Sequence, residues 1–329
     1  MSGHLVLARF LIGFALAGAS AAEAVGPFTV CVADEVLLPD AARGKSVPLK
    51  VYFPEEAGVY PLVLFSHGAG DSNDGAAHLS WFWASHGYVC IHPTHGVDGA
   101  ARHRLSLVRT WRELRRWREE GAEAWAGRVA DLELILDRLD DVGARVPGLA
   151  GKIDRERIGV AGHSLGAYTA LLVGGAELAA PDGAGPIRYT DGRVRAVVAL
   201  SPPGVDERGL NVHSWCRMRL PVMIATGSRD VGLRGGQGVR WRTDAYRFAP
   251  PGDKYLLFIE GATHASFVGM PASGAPRNPG RPKPIMQYTR AATLAFWNAY
   301  LKGDPAGAAY LKSPALAESS GGKAALYTK

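Results

Sequence analysis

Gly162-His163-Ser164-Leu165-Gly166 is a G-x-S-x-G pentapeptide set directly after the apolar run Ile158 to Ala161 and before a helix-like stretch, Ala167 to Val173. A strand, a sharp turn and a helix in that order lift a serine hydroxyl clear of the backbone, and the flanking glycines allow the chain to pass closely. A serine alcohol is a poor nucleophile until a base takes its proton, and that base is held in place by a carboxylate. Two residues further along the chain fit those roles. Asp230 ends Gly227-Ser228-Arg229-Asp230, just beyond the run Val222 to Thr226, and His264 ends Gly261-Ala262-Thr263-His264, beyond the run Tyr255 to Ile259. Both fall where sites in open α/β sheets collect, at the carboxyl ends of strands. Asp206, after Ser201-Pro202-Pro203, is a second candidate for the acid.

Attack by Ser164 on a carbonyl carbon places negative charge on the carbonyl oxygen, so hydrogen-bond donors must already point there. The backbone N–H of Leu165 is one expected donor, since it follows the nucleophile. Ser66-His67-Gly68-Ala69-Gly70, after the run Leu62 to Phe65, supplies glycines that let a loop turn its N–H groups inward, and Ala69 is the expected second donor. His92-Pro93-Thr94-His95, with Asp98 nearby, is the only grouping that resembles a metal site. Its proline breaks any helical i, i+3 pair and no further ligands cluster with it, so no metal and no cofactor are expected. His163, inside the pentapeptide, is expected to pack rather than to transfer protons.

The elements that must carry these residues alternate between strand and helix. Thr29 to Leu38 and Val47 to Phe53 read as an opening antiparallel hairpin. Leu62 to Phe65, Tyr88 to Ile91, Ile158 to Ala161, Val194 to Leu200, Val222 to Thr226 and Tyr255 to Ile259 follow as continuous apolar runs, as strands covered on both faces require. These make an eight-stranded, mostly parallel sheet. Val129, Leu132, Ile135, Leu136 and Leu139 keep helical spacing, ended by Gly143 and Pro147. A last helix, Met286 to Lys302, puts Leu294, Trp297 and Leu301 on one face and stops at Gly303. With helices on both faces of the sheet, the fold class is α/β.

The chain of 329 residues is 47% hydrophobic and 21% charged, enough for a large core and too apolar for general disorder. Its net charge of +6 is small and spread out, which points to no nucleic-acid partner. Residues 1–22 read as a signal peptide, with an apolar run from Phe10 to Ala19 followed by Ala19-Ser20-Ala21-Ala22. The remainder, 23–329, reads as one catalytic domain, exported to the periplasm or secreted, without a membrane span. Among the three cysteines, Cys90 is expected as a buried thiol, and a Cys31–Cys216 disulfide is left open. Residues 101–126 hold seven arginines between Arg102 and Arg118, interleaved with Trp111, Trp117 and Trp125. A solvated helix, a lid over the pocket and a lipid-facing patch are its three readings. Gly269 to Pro284, rich in glycine and proline, reads as a loop.

GHSLGAYTA, LVLFSHGAGDSNDGAAHLSWFWASHGYVCIHPTHG and PGDKYLLFIEGATHASF resemble bacterial proteins labelled predicted dienelactone hydrolases, related to the platelet-activating-factor acetylhydrolases of the α/β-hydrolase superfamily. The resemblance runs from about Val30 to Leu311. It implies the eight-stranded α/β-hydrolase fold, Ser164 as nucleophile, His264 as base and an oxyanion donor at Ala69, after the His-Gly pair. Dienelactone hydrolases carry a cysteine nucleophile where this chain has Ser164, and acetylhydrolases place the acid after the sixth strand, which keeps Asp206 in view. Serine-dependent hydrolysis of a small-molecule or polymeric ester is the function these features imply. The alternatives are a lipase or phospholipase of acetylhydrolase type, a polyester hydrolase and a non-enzymatic binding protein, the last at odds with a complete Ser/Asp/His set.

Overall fold

The computed structural model describes residues 24–96, 123–180, 183–232, 237–269 and 284–329. The leader-like residues 1–22, Asp98, residues 101–122 with Trp111 and Trp117, and the loop residues 270–283 lie outside these. Because a buried strand leaves no backbone group for water, each apolar run must find a neighbour, and the runs assemble into one sheet. Its strands are β1 (Val30–Asp40), β2 (Lys45–Pro54), β3 (Tyr60–Ser66), β4 (Val89–Pro93), β5 (Ile153–His163), β8 (Val194–Leu200), β9 (Val222–Arg229), β10 (Lys254–Thr263) and β11 (Ala324–Thr328), in spatial order β1-β2-β4-β3-β5-β8-β9-β10-β11. The six from β4 to β10 run parallel, and β2 and β11 lie antiparallel at the two sides. Two further short strands, β6 (Glu177–Ala179) and β7 (Pro186–Arg188), form a separate hairpin.

All eight expected strands are present, and β11 makes a ninth. Only its first residue, Ala324, is fully buried, so the five-residue segment lacks the continuous apolar run of an interior strand. Its backbone covers the edge of β10 from Tyr255 to Ile259. The helix expected across Val129 to Leu139 is interrupted at Arg138, giving α2 (Glu123–Asp137) and α3 (Leu139–Arg145).

Alternation along each strand sends side chains to two cores. Leu62, Leu64, Val160 and Val197 point to one core, shared with Leu132 and Ile135 of α2 and Leu171 of α4 (Leu165–Val173). Val63, Phe65, Ala161 and Val198 point to the other, shared with Phe82 and Trp83 of α1 (Ala77–Ser85) and with Leu294, Phe296 and Trp297 of α7 (Pro284–Leu301). Trp297 lies on Gly159 of β5 and edge-on to Trp83, with ring centroids 5.8 Å apart. Among the described residues the remaining α-helices are α5 (Val239–Arg242), α6 (Asp244–Phe248), α8 (Pro305–Lys312) and α9 (Ala315–Ser319).

Chain order explains where a site can form. From β3 the chain steps outward to β4, then returns to β5 on the opposite side of β3. The connections therefore diverge between β3 and β5, leaving a crevice at their carboxyl ends. Ser66 and Gly162 are paired there in register, so the loop after β3 and the turn after β5 leave the sheet side by side.

Cysteine chemistry does not contribute to the scaffold. All three thiols are free, with Cys90 buried and Cys216 exposed. Cys31 sits on β1 and Cys216 in the connection from β8 to β9, with four strands between β1 and β8, so the Cys31–Cys216 bridge that the sequence leaves open is not made.

Among the buried histidines of this framework, His92, His95 and His163 are held as neutral imidazoles far below their ordinary value. His92 bonds the Ser80 hydroxyl at 2.6 Å, His95 lies between Ser66 and Asp131, and His163 donates from Nε2 to the His264 carbonyl at 2.8 Å. Burial is the largest influence on each, and it pushes them down to about 3, 4 and 3 respectively. A histidine released by unfolding protonates near its ordinary value of about 6.5, whereas the folded one does not until far lower. Their contribution to stability is complete above about 6.5 and is lost as pH falls towards the folded values, at up to ~1.4 kcal/mol per pH unit for each.

The urea midpoint should accordingly fall between pH 7 and pH 5, and equal midpoints would show that these imidazoles are not held neutral. Trp297→Ala, which empties the contact on Gly159, should remove about 3–5 kcal/mol of unfolding free energy. A loss below about 1 kcal/mol in urea titration would mean that α7 is not anchored there.

Candidate active site

Ser164 has φ 54° and ψ −115°, a backbone conformation that side-chain-bearing residues avoid. The neighbouring glycines make the turn feasible. A Cβ on Gly162 would collide with the Gly166 carbonyl, and one on Gly166 with the Ser66 carbonyl. The turn is pinned by Ser164 N–H donating to the Leu200 carbonyl at 2.9 Å and by Tyr168 N–H donating to the Ser164 carbonyl at 3.0 Å.

His264 reaches Ser164 from the far end of β10. A bulge between Ile259 and Thr263 redirects that strand, and Thr263 then caps the short 3-10 turn His264–Val268 through reciprocal bonds with Ser266. Phe267, fully buried, anchors the turn. His264 Nε2 lies 3.0 Å from Ser164 Oγ, and its Nδ1 lies 3.3 Å from Asp230 Oδ1. Asp230 is 0% exposed and accepts from Thr226 Oγ1 at 2.9 Å. Gly227 lets β9 and β10 converge, since a Cβ there would strike Ala262 and the Ile259 carbonyl. Burial raises the Asp230 carboxyl, but the His264 hydrogen bond and the nearby Arg242 charge together outweigh it, leaving the group below its ordinary range and ionised. His264 is lowered, chiefly by burial, against the opposing pull of its Asp230 bond.

Asp206 occupies a different place. It is exposed, in a turn with φ 63°, and lines a cavity of about 440 Å³ with Trp241, Arg247 and Phe248. Of the two candidate acids, Asp230 alone is set against His264.

Two participants escaped the sequence reading. Ser201, with φ 52°, is fully buried; its Oγ donates to Asp230 Oδ1 at 2.8 Å and lies 2.6 Å from His264 Nδ1. The imidazole N–H is thus shared between a carboxylate and a hydroxyl that is itself bonded to that carboxylate. Position directly beyond the strand Val194–Leu200 was the available signal. The other is Arg242, 4% exposed and 3.2 Å from Asp230 Oδ1, which no motif marks.

The loop after β3 is fixed from behind. Arg128 Nη1 donates to the His67 carbonyl at 2.7 Å, and His67 Nδ1 donates to the Gly68 carbonyl at 2.6 Å. His67 Nε2 accepts from the His95 N–H at 3.0 Å, which fixes the His67 tautomer. His95 lies 2.9 Å from Ser66 Oγ through Nε2 and 2.9 Å from Asp131 through Nδ1, and Asp131 is compensated by Lys45 and Arg43 at 2.8 and 2.7 Å. In a trans peptide the N–H points opposite to the carbonyl of the same plane. Holding the His67 and Gly68 carbonyls towards the protein turns the Gly68 and Ala69 N–H groups the other way. Gly68 packs on the pentapeptide, where an added Cβ would lie 3.6 Å from Ser164 Cβ. Leu165, as the first residue of α4, has no intrahelical partner for its own N–H. His92 and His95 are drawn to separate partners, Ser80 in one case and Ser66 with Asp131 in the other.

Residues 26–180, just under half of the chain, match the family model described as Chlorophyllase. That span includes the loop after β3 and the Ser164 turn and ends before Asp230 and His264. Platelet-activating factor acetylhydrolase of Cavia porcellus is 25% identical over 247 residues, 68% of this chain and 51% of that protein. Chlorophyllase type 0 of Chenopodium album is 30% identical over 131 residues, 38% of this chain and 32% of that protein. The chain therefore spans about half the length of the first relative and about a third of the second. A mostly parallel sheet with a serine turn at its topological switch point is the α/β-hydrolase fold, and within that fold the chain is similar to an acetylhydrolase and a chlorophyllase.

Proposed function

We propose that the protein is a serine ester hydrolase that works through an acyl-enzyme, with Ser164 as nucleophile, His264 as base and Asp230 as the acid that orients it. The observation that carries this reading is the contact of Ser164 Oγ with His264 Nε2 at 3.0 Å, backed by buried Asp230. In the first step Ser164 Oγ bonds to the ester carbonyl carbon while its proton passes to His264 Nε2. The N–H groups of Ala69 and Leu165 receive the developing oxyanion, and the imidazolium returns its proton to the departing alcohol. Water, deprotonated by the same imidazole, then attacks the acyl carbon and frees Ser164. These steps need no cofactor. Names of the relatives favour an ester, and Ser164 in place of a cysteine sets the chain apart from dienelactone hydrolases.

For the substrate we propose short- to medium-chain or bulky esters. Between β8 and β9, residues 201–220 form turns rather than a helix, and their large apolar groups Leu210, Trp215 and Met218 are buried. Val212 is the strongly exposed apolar side chain of the segment, too little hydrocarbon to meet a lipid surface. No helix among the described residues is long and apolar enough to cross a membrane. Export to the periplasm or medium is part of the proposal and rests on residues 1–22 alone.

Ser164→Ala should abolish hydrolysis of p-nitrophenyl acetate without lowering the unfolding midpoint by more than a small margin. Retention of more than about a thousandth of the wild-type rate would remove Ser164 from the mechanism. Asp230→Asn should lower turnover by about 10⁴-fold, as in the analogous protease triad, whereas Asp206→Asn should leave it within a few-fold. The reverse pattern would move the acid to the connection after β8. Rate followed through the solubility limit of a medium-chain ester should show no jump as droplets form, and a jump would indicate a lipase.

A further inference from the structure

Arg242 is an ionised side chain that ester hydrolysis does not itself require, yet it is 4% exposed beside the reacting groups. Its guanidinium is held by main chain. Nη1 donates to the carbonyls of Ser201 and Pro202 at 3.1 and 3.2 Å, and Nη2 donates to that of Val231 at 3.4 Å. These carbonyls belong to the connections that follow β8 and β9, so the fork cannot swing away without releasing both. Its Trp241 neighbour covers it, with the guanidinium carbon 4.8 Å from the indole.

Held in this way, the cation faces two members of the site at once. Nε lies 3.2 Å from Asp230 Oδ1 without hydrogen-bond alignment, so the attraction is one of charge. Nη2 lies 3.2 Å from His264 Nδ1. With the Nδ1 proton directed to Asp230 and Ser201, that approach sets donor against donor, and it grows more unfavourable when the ring gains a second proton.

We propose that Arg242 is a positioning residue that clamps Asp230 as a carboxylate and keeps the resting His264 imidazole neutral to lower pH than Asp230 alone would permit. The inference rests on the reading of Ser164, His264 and Asp230 given above. Asp230 by itself favours an imidazolium and would leave the base occupied by a proton in mildly acidic solution. Arg242 offsets that pull without touching Nε2, the atom that must accept from Ser164. Among the described residues, the other titratable neighbour of His264 is His163, whose ring lies 4.6 Å away and which stays neutral down to about 3, so it carries no charge across the working range. Arg242 itself also feels Glu207, which is buried in the connection after β8 and supports its charge.

The acid limb of kcat/KM for p-nitrophenyl acetate reads this directly. Arg242→Gln should move that limb upward by about one pH unit or more. Arg242→Lys, which keeps the charge and loses the fork, should be slower with its limb near that of the wild type. A purely structural Arg242 would lower the rate in both variants and leave both limbs in place, and that result would overturn the proposal. The imidazole titration of His264, followed by NMR in Ser164→Ala with and without Arg242→Gln, gives the same answer without catalysis. An upward shift supports the clamp, and coincident curves refute it. If Arg242→Gln does not fold, the neutral urea of citrulline at position 242 keeps the planar fork and allows the same titration. An absence of ester hydrolysis in the wild type would refute the proposed function, while the titration would still decide the role of Arg242.

Discussion

The positive φ of Ser164 is the constraint on which the remaining geometry depends. A non-glycine residue in such a region costs about 1–3 kcal/mol and persists only where its surroundings leave no alternative. Here β5 is locked between β3 and β8, and the Ser164 N–H is bound to Leu200 on the neighbouring strand. Gly166 lies against the Ser66 carbonyl with no room for a side chain. Relaxing Ser164 would require the ends of three strands to part. The same fixed turn lifts the hydroxyl towards His264 and leaves the first N–H of α4 without a helical partner. Ser201, just beyond the neighbouring strand β8, also has a positive φ of 52° and delivers a second hydroxyl to the opposite edge of His264.

Charge is distributed around this turn with a consistent logic. His163 and His95 are buried and neutral, and each uses one ring nitrogen as a donor to hold another group. His163 holds the main chain of His264, and His95 holds Asp131 behind the loop after β3. Ser66, His95 and Asp131 reproduce the residue types and contacts of the Ser164 group, but their exposures of 0, 2 and 1% deny them a substrate. Identical side chains therefore serve as support in one place and, in the function we propose, carry the chemistry in the other. Access decides between the two. At the Nδ1 edge of His264 the permanent charges are Asp230 and Arg242, where each partly compensates the other.

Much of this was legible in the sequence because local pattern and physical need coincide. Continuous apolar runs gave the interior strands, and the glycines flanking Ser164 gave the turn. Chain order gave Asp230 and His264 their places beyond β9 and β10. What was not legible depends on contacts distant in sequence. Arg242 approaches the site only because α5 folds back over the connections after β8 and β9, and nothing in Val239–Arg242 announces that. The β11 strand is recognisable only by the edge it covers. Which of Asp230 and Asp206 stands against His264 also needed three dimensions, since both follow strands at the same end of the sheet. The convergence of β9 and β10 at Gly227 separates them.

As the nucleophile we propose, Ser164 is activated by this geometry to bond covalently with an electrophile. Treatment of the protein with a fluorophosphonate at neutral pH, with the added mass located by peptide mapping, reads that activation out. A single adduct on the peptide containing Gly162-His163-Ser164-Leu165-Gly166, lost when the protein is unfolded beforehand, is the predicted result. An adduct on a different serine, or none on the folded protein, would contradict it.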